Sequence, residues 1–139
     1  FNGFQEKAKI STTKSNHKII IKYIMTETKK CDLGEITAMD GNLICSNLNV
    51  ATPVPVVLIA AEKALKDKFK NPFNSSLPSI CSAPANTCNV YNYQSKGSAG
   101  VVNLREHGPK TMEVGTCFSE SCTHKDKDYL TSGYIAIID

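Results

Sequence analysis

Residues 4–34, FQEKAKISTTKSNHKIIIKYIMTETKKCDLG, contain no proline and only a terminal glycine. Apolar side chains recur at helical spacing in the second half of this stretch, and they place Ile20 and Ile24 on one predicted face. Gly34 is a suitable C-terminal cap, and the two lysines in the last turn would interact favourably with the helix dipole. The pattern therefore predicts a long N-terminal helix over residues 1–31.

The first half of the predicted helix is mostly polar. Its few apolar or small side chains are Phe1, Phe4, Ala8 and Ile10. A helix with so little apolar surface cannot bury this half within its own fold. We therefore expect this half to protrude or to pack against another molecule.

Residues 32–87 are predicted to connect this helix to a sheet. Thr52 and Pro53 mark the start of a second helix, as N-cap and first helical residue, and the apolar spacing extends this helix to Phe69. The segment of residues 74–85 is rich in proline and serine, which predicts an irregular connection.

From Cys88 onward the apolar residues alternate, which indicates β-strands. The predicted strands comprise residues 90–93, 99–104, 112–118 and 134–138. Sequential strands with short turns favour an antiparallel meander that packs one face on the helix. The sequence thus predicts a single α+β domain over residues 1–139, with a long N-terminal helical spine packed against a C-terminal antiparallel sheet of about four strands at residues 88–139.

The composition is that of an ordinary globular protein. Apolar residues make up 41% of the 139 residues, charged residues make up 21%, and the formal net charge is +3. Arg105 is the only arginine. Proteins that read nucleic acids usually present a denser basic face with several arginines, so the charge favours other functions.

Six cysteines are the strongest compositional signal. They are Cys31, Cys45, Cys81, Cys88, Cys117 and Cys122. An even number favours disulfides and an oxidising compartment, whereas structural zinc would need two closely spaced pairs and only the last two cysteines are that close. Proximity along the chain favours the pairs Cys31–Cys45, Cys81–Cys88 and Cys117–Cys122, although the sequence leaves other connectivities open.

The sequence offers no arrangement of catalytic side chains. His17, His107 and His124 are predicted on a helix, in a turn and in a loop, and the glutamates are scattered. Full disulfide pairing would leave no thiol for a Cys–His pair. Asp126 and Asp128 lack the glycine and the distal glutamate of a calcium loop, so a solvated turn is expected there. We therefore expect a protein that is not an enzyme and that binds no cofactor and no metal.

Several stretches resemble a known family. Residues 4–34 are similar to the second half of the spine helix of type IV pilins, where an Ala-Lys-x-Ser stretch leads to Asn, Ile and Glu positions before a closing Cys. KNPFN at residues 70–74 resembles a short motif that precedes the sheet in bacterial pilins and pseudopilins. GVVNL at residues 100–104 resembles a pilin strand, and residues 117–122 occupy the position of a C-terminal disulfide-closed region. In its order of elements, the whole chain resembles the soluble part of a type IV pilin.

The resemblance implies a structural subunit of a type IV pilus on a bacterial surface, serving adhesion, motility or DNA uptake. It also implies that an apolar segment of about 25 residues, absent from this sequence, precedes Phe1 and holds the subunit in the inner membrane. Inner-membrane assembly machinery would then stack copies of the chain, helices inward, into an extracellular filament.

The resemblance further implies which residues meet which surroundings. Neighbouring helices would contact Phe1, Phe4, Ala8 and Ile10. The subunit's own sheet would cover Ile20, Ile21, Ile24 and Met25. The loops at residues 31–45 and 119–131 would face neighbours, solvent, a host surface or DNA, and the surplus lysine makes salt-sensitive DNA binding a further expectation.

A small secreted disulfide-rich binding protein, such as an effector or a toxin, is the alternative that the same residues leave open. The cysteines, the abundance of lysine, asparagine and serine, and the lack of catalytic groups fit it equally well. The sequence that precedes Phe1 would separate the two. An apolar segment after a short basic leader ending in glycine would indicate a pilin, whereas a conventional cleaved signal would indicate the alternative.

Overall fold

The computed structural model describes residues 2–88 and 97–139. It begins with a long helix, α1 (Asn2–Asp32), whose bounds agree within one residue with the predicted spine. Two short strands, β1 (Thr37–Ala38) and β2 (Leu43–Ile44), follow it and form a small antiparallel ribbon. The polypeptide therefore turns back immediately after the spine instead of continuing away from it.

The end of α1 is closed by a glycine cap. Gly34 adopts a left-handed φ of +94°, and its amide donates to the carbonyl of Cys31 at 3.2 Å. The next amide, of Glu35, donates to the carbonyl of Lys30 at 3.0 Å. These two bonds define a Schellman motif and confirm the predicted stop of the helix.

The second helix, α2 (Pro53–Leu65), begins where it was predicted, but its predicted extension to Phe69 was wrong. The amide of Lys68 donates to the carbonyl of Leu65 at 2.9 Å, a tighter turn than an α-helix makes, and the helix ends there. Thr52 holds the N-cap position, although its side chain caps no amide. Short 3-10 helices occupy Met39–Gly41, Cys45–Leu48 and Ala83–Ala85.

The main sheet of the described residues has four strands, in the order β3 (Ile80–Ser82), β4 (Val102–Glu106), β5 (Thr111–Cys117) and β6 (Tyr129–Ala136). The last three strands are antiparallel neighbours, but β3 pairs with β4 in parallel. The prediction of a purely antiparallel sheet was therefore wrong. Parallel neighbours cannot be joined by a hairpin, and β3 and β4 are separated by 19 residues of sequence, residues 83–101.

The complete burial of β3 explains why the sequence did not predict this strand. All three of its residues are buried, so it lacks the alternation that marks a strand with one exposed face, and it lies in a segment that was predicted to be irregular. The strands β4 and β5 overlap their predicted ranges. The strand β6 begins at Tyr129, five residues before its predicted start at residue 134, because the polar residues in its first half hid the strand pattern. The predicted strand at residues 90–93 lies outside the described residues.

The apolar core lies between the second half of α1, α2 and one face of the sheet. Ile20 and Ile24 are fully buried in it as predicted, and Ile21 packs at its margin. Met25 is 48% exposed, so its predicted place under the sheet was wrong, because a turn of about 100° per residue carries it past the covered face. The other large, fully buried side chains are Met39, Leu43, Val54, Val57, Leu58, Ile80, Val102, Leu104, Met112 and Val114.

Candidate assembly and binding surfaces

The first two turns of α1 extend beyond the fold that covers the rest of the helix. Residues 3–8 are exposed, with Phe4 exposed to 79% and Ala8 open to solvent, while Ile10 is half-buried. Phe1, the remaining predicted interface residue, lies outside the described residues. An exposed aromatic side chain at the free end of a helix is apolar surface that the chain itself does not cover.

Lysines outnumber acidic residues over most of α1. Between residues 2 and 26 the helix contains the five lysines Lys7, Lys9, Lys14, Lys18 and Lys22, but only one acidic residue, Glu6. Four of these lysines are exposed, and Lys9 is half-buried. The solvent-facing side of the helix is therefore basic, mainly through Lys14, Lys18 and Lys22, which lie beyond its exposed start.

We call the described residues after α1, together with the part of α1 that they cover, the head. Two aromatic rings of the head contact lysines in the first half of α1. The ammonium group of Lys14 lies 4.4 Å from the ring centre of Phe118, and that of Lys9 lies 5.9 Å from the ring centre of Phe73. Such cation–π contacts attach charged side chains to the head without burying their charge. Between them, Thr13 is fully buried and donates its hydroxyl to the carbonyl of Lys9 at 2.9 Å. The helix thus enters the head at this level.

His17 is the first ionisable side chain that α1 buries against the sheet. Its Nδ1 lies 2.8 Å from the hydroxyl of Thr116 on β5, and only 3% of the residue is exposed. Burial, with a smaller contribution from the charge of Lys18, lowers the pKa of His17 from 6.5 to about 4. The imidazole is therefore neutral at pH 7 and serves packing.

A carboxylate links the end of α1 to the ribbon that follows it. Glu27 accepts the amide hydrogen of Met39 at 2.7 Å and pairs with Lys30 at 2.6 Å. Met39 is fully buried and has a φ of +54°, a conformation that side chains rarely adopt. The disulfide Cys31–Cys45 joins the same two elements and confirms the first predicted pairing. This junction is therefore fixed by a covalent bond, an ion pair and a charged hydrogen bond.

The surface around this junction exposes several large apolar side chains. Leu33 and Ile36 are exposed to 76% and 81%, and Ile44 is exposed to 47%. Residues 31–61 include three acidic side chains and no lysine or arginine. One of them, Asp40, has its pKa lowered chiefly by a hydrogen bond from Lys68. Both ends of α1 thus expose apolar side chains.

The other two disulfides also join the predicted cysteines. Cys81–Cys88 connects β3 to the chain that follows it, with 5.1 Å between Cα atoms, and Cys117–Cys122 closes a short loop after β5, with 5.7 Å. The second pair is almost fully buried under Tyr129. In the adjoining loop, Asp126 accepts the amide hydrogen of Thr123 at 2.8 Å, as the predicted turn requires.

The outer face of the sheet holds a feature that the sequence did not indicate. Arg105, Glu113 and Tyr134 form one row across β4, β5 and β6, because they pair in register in adjacent strands. Together with His124 they line a cavity of about 240 Å³. The ring of His107 stacks on Tyr134 with 3.7 Å between ring centres and 6° between ring planes. Strand alternation could have placed Arg105 outward, but the late start predicted for β6 concealed the row.

The structure does not unite the three histidines. His107 and His124 both lie beside Tyr134, while His17 of α1 is buried against β5 on the opposite face of the sheet. Within residues 2–88 and 97–139, no group of three or more histidine, cysteine or acidic side chains is arranged to hold a metal ion. In the same ranges, no helix combines the length and the apolarity that crossing a bilayer requires. Comparison with known proteins returned no matching family model, no matching curated protein and no matching solved structure.

Proposed function

We propose that the chain is a structural subunit of a type IV pilus, an extracellular filament on a bacterial cell surface. Each copy is first anchored in the inner membrane and then binds the assembly machinery. The copies finally associate through the N-terminal half of α1. The role is structural, with no catalytic step and no cofactor. The observation that carries the proposal is the exposed start of α1, where Phe4 is 79% exposed and Ala8 is open to solvent.

A helix that protrudes from its fold needs another surface to cover its apolar side chains. The exposed segment, residues 3–8, is about 9 Å long at the rise of an α-helix. In a filament the same segment of neighbouring copies supplies that cover, and burial of apolar surface drives the association. The order of spine, connection and sheet is the order that the resemblance to pilins implies.

The apolar side chains exposed at both ends of α1 also support assembly. Phe4 is exposed at the start of the helix, and Leu33 and Ile36 are exposed just beyond its end. Two unlike apolar surfaces on one chain allow contacts between the end of one copy and the start of the next. Such heterologous contacts produce open helical filaments when the rotation between copies does not close a ring.

The three disulfides suit a subunit that bears tension along a filament. They fix the end of the spine, the edge strand β3 and the loop after β5. The loops at residues 31–45 and 119–131 would then be presented to host surfaces or to DNA. A secreted effector or toxin would carry the same disulfides, so the exposed helix is the feature that favours the filament.

The proposal is tested by charging the exposed segment in cells that produce the full-length protein. We expect the double variant Phe4→Glu, Ala8→Glu to reduce the amount of the chain in sheared surface filaments about tenfold or more, because a carboxylate then replaces apolar contact between copies. Quantitative mass spectrometry of the filament fraction and of whole cells measures the change.

The matched control is Val50→Glu, which charges another exposed apolar side chain, 52% open, outside the spine. It should leave incorporation unchanged. Thermal unfolding of the soluble domain should be the same for both variants, since neither replaces a buried group. Normal incorporation of the double variant would count against assembly through this half of α1.

A further inference from the structure

We propose that the outer face of the sheet binds a neutral sugar in the cavity lined by Arg105, Glu113, His124 and Tyr134. This inference does not depend on filament assembly, because the site lies within a single copy of the chain. It assigns a ligand class to a surface that is distinct from the spine and from the disulfide-closed loops.

An aromatic platform is the first element of the site. Tyr134 is 66% exposed although one face of its ring is stacked on His107. The solvent-exposed part is therefore the opposite face and the edge of the ring. The stack fixes the ring in one orientation before a ligand arrives, which lowers the entropic cost of binding. A rigid, half-covered aromatic ring suits the flat apolar face of a sugar ring.

A donor and an acceptor lie next to this platform. Glu113 follows Tyr134 in the row, and its Oε2 accepts a hydrogen bond from the hydroxyl of Thr131 at 2.9 Å. Its Oε1 lies 3.7 Å from Nη1 of Arg105, which is too long for a charge-assisted hydrogen bond. The guanidinium of Arg105 and the carboxylate of Glu113 therefore form an ion pair, but Nη1 and Oε1 share no direct hydrogen bond. Adjacent hydroxyls of a sugar, each both donor and acceptor, fit such a pair.

The balance of charge selects a neutral ligand. Arg105 would attract a carboxylate or phosphate ligand, but the neighbouring carboxylate of Glu113 would repel it. Glu113 would attract an organic cation, but Arg105 would repel it. A polyhydroxylated neutral molecule uses both groups without leaving a charge unpaired. The cavity of about 240 Å³ is open and small, so it accommodates one sugar unit rather than a long chain.

A local irregularity of the sheet supports a built site. The register between β5 and β6 shifts between Glu113 and Gly115, directly beside the row. Such bulges re-aim side chains and occur frequently next to functional sites. Here the shift falls at the carboxylate whose position the proposed site requires.

The site is tested by NMR titration of the soluble domain with the methyl glycosides of galactose, glucose, mannose and N-acetylglucosamine. We expect at least one of these probes to show saturation transfer and to shift the amide signals of β4–β6, with a dissociation constant of about 1 mM. Tyr134→Ala should weaken binding about tenfold, and Arg105→Gln should weaken it about fivefold. Val50→Ala, which truncates an exposed side chain outside the sheet, should bind as the unchanged protein does.

Three results would overturn the inference. The first is the absence of saturation transfer and of shifts with all four probes. The second is equal binding by the unchanged protein and by both sheet variants, with their folds verified by their amide spectra. The third is binding of the methyl glycoside of sialic acid, a negatively charged sugar, with none of the four neutral probes.

Discussion

His17 links the stability of the head to pH. The native state holds the imidazole neutral with a pKa of about 4, whereas the unfolded chain protonates it near 6.5. Because the unfolded state binds the proton first, the free energy of unfolding falls as pH decreases from 6.5 to 4. We expect a loss of about 2 kcal/mol from this residue, measured by urea denaturation across this range.

The variant His17→Gln isolates this contribution. Its unfolding free energy should lack the His17-dependent fall between pH 6.5 and pH 4, while His124→Gln, which changes an exposed histidine, should retain it. Identical pH profiles for His17→Gln and the unchanged protein would contradict the account of the buried imidazole.

Gly115 is required because Tyr129 crosses it. A Cβ added at residue 115 would lie 2.0 Å from the hydroxyl oxygen of Tyr129. That ring also covers the buried disulfide Cys117–Cys122, so it has little room to move. We expect Gly115→Ala to lower the free energy of unfolding by about 1–3 kcal/mol, as overpacked cores do, measured by chemical denaturation.

The same substitution at Gly3 is the matched control. Gly3 lies in α1 with no atom within 4 Å of an added Cβ, so Gly3→Ala should leave stability unchanged or raise it slightly. The double variant Gly115→Ala, Tyr129→Ala should lose less than the sum of its two single changes, because the clash is already removed. Full additivity would contradict the packing described.

At the scale of elements, the three disulfides stabilise the fold to different degrees. Replacing Cys31 and Cys45 by alanine opens a loop with a sequence separation of 14, against 5 for Cys117 and Cys122. The entropy of loop closure then predicts losses of about 3 and about 2 kcal/mol respectively. Guanidinium denaturation of the two double variants measures the difference, and a larger loss for the shorter loop would contradict this order.

The elements that could be predicted from the sequence are those with a strong local signal. The spine was predicted within one residue because a long proline-free stretch ends at a glycine whose left-handed φ the cap requires. The start of α2 was marked by Thr52 and Pro53. The strand β3 could not be predicted, because its three buried residues gain strand geometry only from their pairing with β4.

The two candidate surfaces also differ in whether the sequence could predict them. The exposed start of α1 was predictable, since a polar helical half has no apolar face to bury. The row of Arg105, Glu113 and Tyr134 depends on the register of three strands, including a β-bulge, and no local pattern encodes that register. The prediction that Met25 lies under the sheet was wrong because the covered face of α1 ends between Ile21 and Met25, which are one turn apart. The position of this limit depends on how the sheet crosses the helix.

At the scale of the whole molecule, the second half of the spine is covered by the fold, whereas its first two turns are exposed. The covered half shares a core with α2 and the sheet, and it is tied to the following ribbon by Glu27 and the disulfide Cys31–Cys45. The exposed turns present Phe4 to their surroundings. One continuous helix thus carries both a segment packed in the core and an uncovered apolar side chain.

Immunogold labelling of cells that produce the full-length protein tests this account most directly. With an antibody raised against the head, we predict regular labelling along surface filaments and recovery of the chain as a main component of the sheared filament fraction. Label confined to the culture medium or to the cell body, with no chain in the filaments, would contradict the claim that this protein is a filament subunit.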